Sequence, residues 1–371
     1  MRGVKVSTFS KNLKILLLCS IGINVFWMIG CGEKAFNSEP NLTYSIRELD
    51  LEEKLDLKDN QILQLNHLTE NKLSIQVLNK EVSWLFPTVN QYVYDFRTKK
   101  VKKIKSRDPF LNIRVWDFLE KDGHLYESIV YLENDLLKAK VSVDENVLWI
   151  QTIIDPVVAP KFGTLNGEIF FFGRSVNENI EVTQFYKIIS PIQIDCLWDS
   201  KKNCQNIIST TILRDDYSQI AFMTESPSNN YLYYFEGEEL KSIPYKGELG
   251  RIIPIEEGLL IAYRDSTELR KMNYSLFLYD NQTIYNLQGS DRTIGERNFG
   301  TFYKNSFPFL GVDYRVKIAL IKESEVKVKE IEEFPKAISD FWRINDKELL
   351  IQIEPFTEKK ENLIFYILQY D

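Results

Sequence analysis

"DDYSQIAFMTESPSNNYLYYFEGEELKSIPY", Asp215 to Tyr245, reads as one small β unit. A strand over Gln219–Thr224 leads through "ESPSNN" to a second over Tyr231–Phe235. A tight "EGEE" turn then delivers a third over Leu240–Tyr245. Short, aromatic-rich runs bounded by turn residues suit strands that pack on half-buried pleated faces. The unit recurs in "GLLIAYR" from Gly258 with "YSLFLYDNQTIYNL" from Tyr274, and in "VSWLFPTVNQYVYDFRTKKVKKI" from Val82. It returns in "ELLIQIEP" from Glu348 with "NLIFYILQYD" at the end.

Second strands begin near Tyr92, Leu125, Thr183, Tyr231, Tyr274, Arg315 and Leu363. Their mean spacing of about 45 residues is that of four-stranded propeller blades. The step from Leu125 to Thr183 is long and the one before it short, which leaves "NVLWIQTII" from Asn146 without a fixed place. The last unit ends after its third strand, so a closed ring needs an outermost strand from the N-terminal side. The alternating stretch "QILQLNHLTENKLSIQVL", Gln61 to Leu78, is the candidate. The expected fold is all-β: a single β-propeller of seven blades, with six or eight as the neighbouring counts, closed by an N-terminal strand. The alternative is a pair of β-sandwich domains splitting near residue 200. The propeller domain is expected over 61–371, preceded by a tether over 31–60 with a short helix at Ile46–Leu57.

The bulk composition supports a globular chain: 44% hydrophobic and 13% aromatic residues in 371. The formal charge of −7 is unevenly placed. Residues 1–30 hold Arg2, Lys5, Lys11 and Lys14 and no acid; without those four, 42 basic residues face 53 acidic ones, a net −11. So acidic a body lacks the cationic footprint of general nucleic-acid binding, and no nucleic-acid partner is expected.

The first thirty residues have a basic start, an apolar run from Ile15 to Gly30, and then Met28-Ile29-Gly30-Cys31. That is the layout of an export signal, too short and too interrupted for a comfortable membrane span. "MIGC" resembles the lipobox of bacterial lipoproteins, with Met28 and Trp27 departing from its commoner residues. The resemblance implies removal of residues 1–30 and a membrane lipid attached through Cys31, whose thiolate is the nucleophile such a thioether needs. It also implies a lipid-anchored place in the bacterial cell envelope, with Gly32 pointing to the outer membrane in a Gram-negative cell. Plain secretion and an uncleaved anchor helix are the competing readings. "GEKAFNSEPNLT", Gly32 to Thr43, is polar and proline-broken, as a tether is.

Of the remaining cysteines, Cys196 and Cys204 bracket a polar turn, and an exported protein makes a disulfide between them the expectation. No histidine or further cysteine lies near, so no metal site is expected there. The chain has only His67 and His124, both read as solvated turn histidines. No Gly-x-Ser-x-Gly elbow, Walker loop or dinucleotide fingerprint occurs, and no catalytic residues or cofactors are assigned. "QGSDRTIGERNFGTF", Gln288 to Phe302, reads as a long loop whose Arg292 and Arg297 are candidates for an anionic ligand. The basic run Arg97 to Arg107 reads as an outermost strand whose lysines discourage edge pairing, and Ile321 to Phe334 as a similar edge. The Trp-Asp pairs in "VWDF" and "LWDS" lack the regular context of a repeat signature, and the strand pattern loosely resembles exported TolB-type or quinoprotein-like propellers. "IFFFG" and "YLYYF" read as packing between blades. The chain is thus expected to be a non-enzymatic binding or scaffold module for an envelope protein or small ligand. A glycan-processing enzyme with two suitably spaced carboxylates is the alternative.

Overall fold

The computed structural model describes residues 44–371 apart from 70, 82–84, 178–179, 211–219, 226–229, 246–250, 256–257, 265–271, 279–282, 290–305, 311–315, 323–324, 331–337, 346, 354–363 and 371. The chain divides into two units, residues 1–43 and 44–371, of which the first lies outside the described residues.

Strand β1 (Tyr44–Leu49) is followed by helix α1 (Leu51–Leu55). Asp50 caps this helix by accepting the Glu53 N–H at 2.8 Å, and Asp56 ends it in the left-handed conformation. Four antiparallel meanders then follow in order. The first blade holds β2 (Gln61–Thr69), β3 (Lys72–Asn79), β4 (Thr88–Asp95) and β5 (Lys100–Ser106), and the second β6 (Arg114–Lys121), β7 (His124–Glu133), β8 (Leu136–Val143) and β9 (Asn146–Thr152). The third holds β10 (Phe162–Leu165), β11 (Glu168–Asn177), β12 (Ile180–Ser190) and β13 (Gln193–Asp199). After the short helix α2 (Ser200–Asn203), the fourth holds β14 (Asn206–Thr210), β15 (Ala221–Glu225), β16 (Asn230–Glu236) and β17 (Glu239–Tyr245).

The next strands are β18 (Arg251–Ile255), β19 (Gly258–Arg264), β20 (Met272–Leu278), β21 (Thr283–Gly289), β22 (Ser306–Leu310), β23 (Val316–Lys322) and β24 (Glu325–Glu330), and they share one seven-stranded sheet. The chain closes with β25 (Ile338–Asn345), β26 (Glu348–Ile353) and β27 (Ile364–Tyr370), whose fourth strand is β1, paired from Tyr44↔Tyr370 to Leu49↔Phe365. This is a β-propeller shut by its N-terminal strand.

Several expectations need correction. Five four-stranded blades stand as separate sheets where the spacing predicts seven. The meander β22–β24 has no fourth strand of its own among the described residues. The free edge of β24 is taken up by β21 through two parallel pairs, Gln288↔Glu325 and Gly289↔Val326. The segment from Ile321 to Phe334 therefore contributes an interior strand rather than an edge. The closing strand is Tyr44–Leu49, not Gln61–Leu78, which forms β2 and β3. The expected helix at Ile46–Leu57 shrinks to α1, because pairing with the open edge of β27 holds Ile46–Leu49 extended. Propeller structure thus includes Tyr44–Leu49, inside the expected tether.

Alternation drives the packing, since neighbouring residues of a strand face opposite blades. In β11, Phe171 faces the second blade with Trp149 and Tyr186, while Phe170 faces the fourth with Phe222 and Phe235. In β16, Tyr233 packs toward Trp198 of the third blade, and Tyr234 toward Phe277 of the next sheet. "IFFFG" and "YLYYF" are blade packing, as read. Each fully buried phenylalanine contributes about 1.5–3 kcal/mol relative to exposure. A further cluster joins the closing blade to the first through Leu63, Leu73, Trp342, Leu350 and Phe365. The cluster of Phe170, Phe185, Trp198, Ile220 and Phe222 spans residue 200 without a break, which overturns the two-sandwich alternative.

Strands of a meander alternate in direction, so their connectors fall at two ends. The links 50–60, 107–113 and 153–161, which feed the innermost strands β2, β6 and β10, share one end with the β3–β4 and β7–β8 links. This is the entry end. The tight turns β2–β3, β4–β5, β6–β7 and β8–β9 lie at the exit end, where β1 begins at Tyr44.

Candidate functional site

At the entry end, the innermost strands of the first two blades meet around Arg114, the first residue of β6. Its Nη2 donates to Gln64 Oε1 at 2.8 Å, and its Nη1 donates to the Leu85 carbonyl at 3.1 Å. The guanidinium carbon sits 5.0 Å from the centre of the Trp116 ring, a cation–π distance. Asn66 Nδ2 donates to the Trp116 carbonyl at 2.9 Å, bracing the same two strands. Burial pushes the Arg114 pKa down. Among the described residues, the buried Nε of Arg114 and indole Nε1 of Trp116 have no hydrogen-bond partner.

The surround is rigid. Thr88 Oγ1 donates to Gln76 Oε1 at 2.8 Å and accepts the Val115 N–H at 2.9 Å, while the Thr88 N–H reaches the Ile113 carbonyl at 2.9 Å. Beside Leu85, Phe86 adopts φ +48° directly before Pro87. An aromatic residue rarely enters the left-handed region, and a following proline favours extended backbone. Strain of this kind persists where surrounding structure enforces it and gathers at functional sites.

Exposed apolar side chains gather at the same end. Of the ten large ones exposed among the described residues, Phe86, Phe110, Leu111, Leu132, Leu136 and Ile154 lie on its links or beside them. Phe110 is 79% exposed. Its neighbour Asp108 caps the short 3-10 turn Pro109–Leu111 by accepting the Phe110 N–H at 2.9 Å.

The residues singled out in the sequence are not brought together. Cys31, Arg292 and Arg297 lie outside the described residues. Cys196 and Cys204 are free and exposed, not the expected disulfide: the Cys196 thiol donates to the Trp198 carbonyl at 3.4 Å and the Cys204 thiol to the Lys201 carbonyl at 3.8 Å. Burial, with Asp199 adding to it, pushes the Cys196 thiol pKa up, the opposite of an activated nucleophile. His124 stands at a turn, as read, its Nδ1 hydrogen-bonded to Asp144 Oδ2. His67 corrects the turn reading: it is wholly buried in β2, where a register shift between Leu65 and Leu68 accommodates it. The basic run does form an outermost strand, β5, and its charges meet acids of the second blade. Lys102 reaches Glu120 at 2.7 Å, and Lys105 reaches both Glu127 and Glu145 at 3.2 Å. Arg114 was missed because nothing local marks it; that no acid among the described residues pairs with it appears only in three dimensions.

No family model and no curated protein matches the sequence. Among solved structures, the chain is similar to an oligogalacturonate lyase in complex with manganese, at 11% identity over 89% of this chain and 96% of that one, with a TM-score of 0.49. An oligogalacturonate lyase from Vibrio parahaemolyticus is similar at 10% identity over 88% and 97%, with a TM-score of 0.49. A polysaccharide lyase is similar at 11% identity over 81% and 88%, with a TM-score of 0.48. Among the described residues, no group of three or more His, Cys, Asp and Glu side chains is placed to hold a metal ion.

Proposed function

We propose that this protein is a lipid-anchored binding module of the bacterial envelope, attached through Cys31, whose propeller docks a partner protein at its entry end. In a Gram-negative cell, Gly32 favours the outer membrane. The observation that carries the docking reading is the gathering of Phe86, Phe110, Leu111, Leu132, Leu136 and Ile154 on neighbouring connectors. Apolar side chains clustered in water lose an unfavourable hydration on docking, whereas scattered ones need no explanation. Asp108 and Asp135 flank Phe110 and Leu136 in the chain, so the complementary partner has an apolar centre with lysine or arginine beside it.

Three of the described carboxylates are committed to structure. Glu127, Asp144 and Asp199 are all held below the usual carboxylate range and occupied by structural donors. Such groups make poor general acids near neutral pH.

Photo-crosslinking in the lipidated, full-length protein tests the reading. A benzophenone side chain at Phe110 or Leu136 is expected to capture one discrete protein, and capture is expected to disappear with Leu111→Asp. The same probe at Ile192, at the exit end, is expected to capture none. Equal capture at both ends, or none from the entry end, would overturn the reading.

A further inference from the structure

The second arginine of "RDPFLNIR" differs from the first in what neutralises it. Arg107 has the Glu127 carboxylate at 2.5 Å. Arg114, seven residues on, has two neutral oxygens and an aromatic face, and among the described residues no carboxylate pairs with it. Nearby acids in the chain are engaged elsewhere: Asp117 Oδ2 accepts the Phe162 N–H at 2.7 Å, and Glu120 binds Lys102. A guanidinium carries five N–H donors, and Arg114 uses one on each terminal nitrogen. Among the described residues, no further hydrogen bond is made by either terminal nitrogen or by the buried Nε.

A half-buried cation without a counter-charge is costly, and an arginine fork is matched to a planar anion. Neutral acceptors offset only part of that cost. Gln64 and Leu85 fix the guanidinium plane, the Thr88 bonds tie the start of β6 to β3 and β4 of the first blade, and strained Phe86 stands beside the anchoring carbonyl. The arrangement has the features of a preorganised binding group rather than a loose surface charge.

We propose that Arg114 is an anion-recognition residue at the mouth of the ring, taking the carboxylate of a small ligand or chain end. Gln64 and Leu85 are its positioning residues, and Trp116 supplies an aromatic wall. The site is separate from the apolar docking surface in its chemistry and stands or falls independently of it.

Two carboxylates distinguish the source of the anion: N-acetylphenylalanine for a peptide end, with its primary amide as neutral control, and glucuronate for an acidic sugar, with its methyl ester as control. The readout is the Trp116 indole N–H resonance, assigned by its absence in Trp116→Phe. At least one acid is expected to shift this signal saturably while its neutral counterpart does not, and Arg114→Gln is expected to weaken binding about ten- to a hundredfold. If Arg114→Gln does not fold, Arg114→Lys keeps the charge but lacks the fork, and weakened binding by that variant is expected. The proposal is overturned if neither acid binds saturably, if acid and neutral control act alike, or if a folded Arg114 variant binds as tightly as the wild type. Loss of crosslinking with this result intact would remove only the protein-docking reading.

Discussion

Arg107 Nη2 and Glu127 Oε1 meet at 2.5 Å across the seam between the first and second blades. Glu127, 2% exposed, also receives Lys105 at 3.2 Å, and Arg107 Nε donates to the Gln91 amide oxygen at 3.2 Å. The basic run in the sequence is therefore an inter-blade clamp: Lys105 of one blade's last strand and Arg107 just beyond it close on an acid of the next blade.

Removing that acid leaves Arg107 and Lys105 without their shared counter-charge. Glu127→Gln is expected to cost about 3 kcal/mol, the lower part of the range for breaking a buried pair, because both cations retain some solvent. Burial pushes the Glu127 pKa up, but the charge and hydrogen bond of Arg107, with Lys105 behind them, outweigh it and hold the pKa below the ordinary 4.5. A depressed acid stabilises the fold fully above its unfolded pKa, and that contribution is lost as pH falls through the folded value. Urea unfolding from pH 7 to pH 3 is expected to show wild type and Glu127→Gln converging at the acid end. Parallel curves would mean that Glu127 does not titrate with folding.

The two cysteines are expected to be free. Iodoacetamide without reductant should add two labels to Cys196 and Cys204, visible by peptide mass, with Cys196 the slower because burial raises its thiol pKa. A linked peptide pair two mass units lighter than its thiol forms would restore the disulfide read from the exported context.

The aromatic repeat made the propeller legible, because strands packed on both faces need large side chains at alternate positions, as Phe170 and Phe171 show. Blade register was less legible around Leu125, which belongs to the second strand β7, while the third strand of that blade begins at Leu136. Asp122-Gly123 and Asn166-Gly167 carried the missing signal. Both pairs adopt positive φ at both residues, the hairpin turn that Asp-Gly and Asn-Gly favour, and each marks a first-to-second-strand link. The parallel contact joining β21 to β24 has no local signature at all. His67 was misread as a turn residue because a polar turn follows closely in the chain, whereas a register shift keeps it inside β2. The Arg114 site was hidden for a different reason: acids stand close by in the sequence, and only the fold turns Asp117 to the Phe162 N–H and Glu120 to Lys102.

Lipidation makes a sharp prediction about mass. Protein extracted from membranes is expected to begin at Cys31 and to carry acyl chains, and Cys31→Ala should lose both the processing and the added mass. One chain alone holds a protein weakly at a membrane, so two or three are expected. An unprocessed full-length mass would instead establish an anchor helix, and a lipid-free shortened mass a secreted protein.

Two phenylalanines separate docking from folding. Phe185 is wholly buried and stacks on Phe170 at 5.7 Å, so Phe185→Ala is expected to cost about 3–5 kcal/mol through lost burial and the cavity left behind. Phe110 is 79% exposed, and its backbone N–H, not its ring, holds the capped turn. Phe110→Asp should therefore change unfolding free energy by no more than about 0.5 kcal/mol. The same substitution is expected to abolish capture by a crosslinker at Leu136, because it sets a charge within the apolar surface. Thermal unfolding and crosslinking on one preparation decide the matter. If Phe110→Asp loses about 2 kcal/mol or more, the ring packs within the fold and the apolar surface is smaller than proposed. If stability and capture are both unchanged, the partner binds elsewhere.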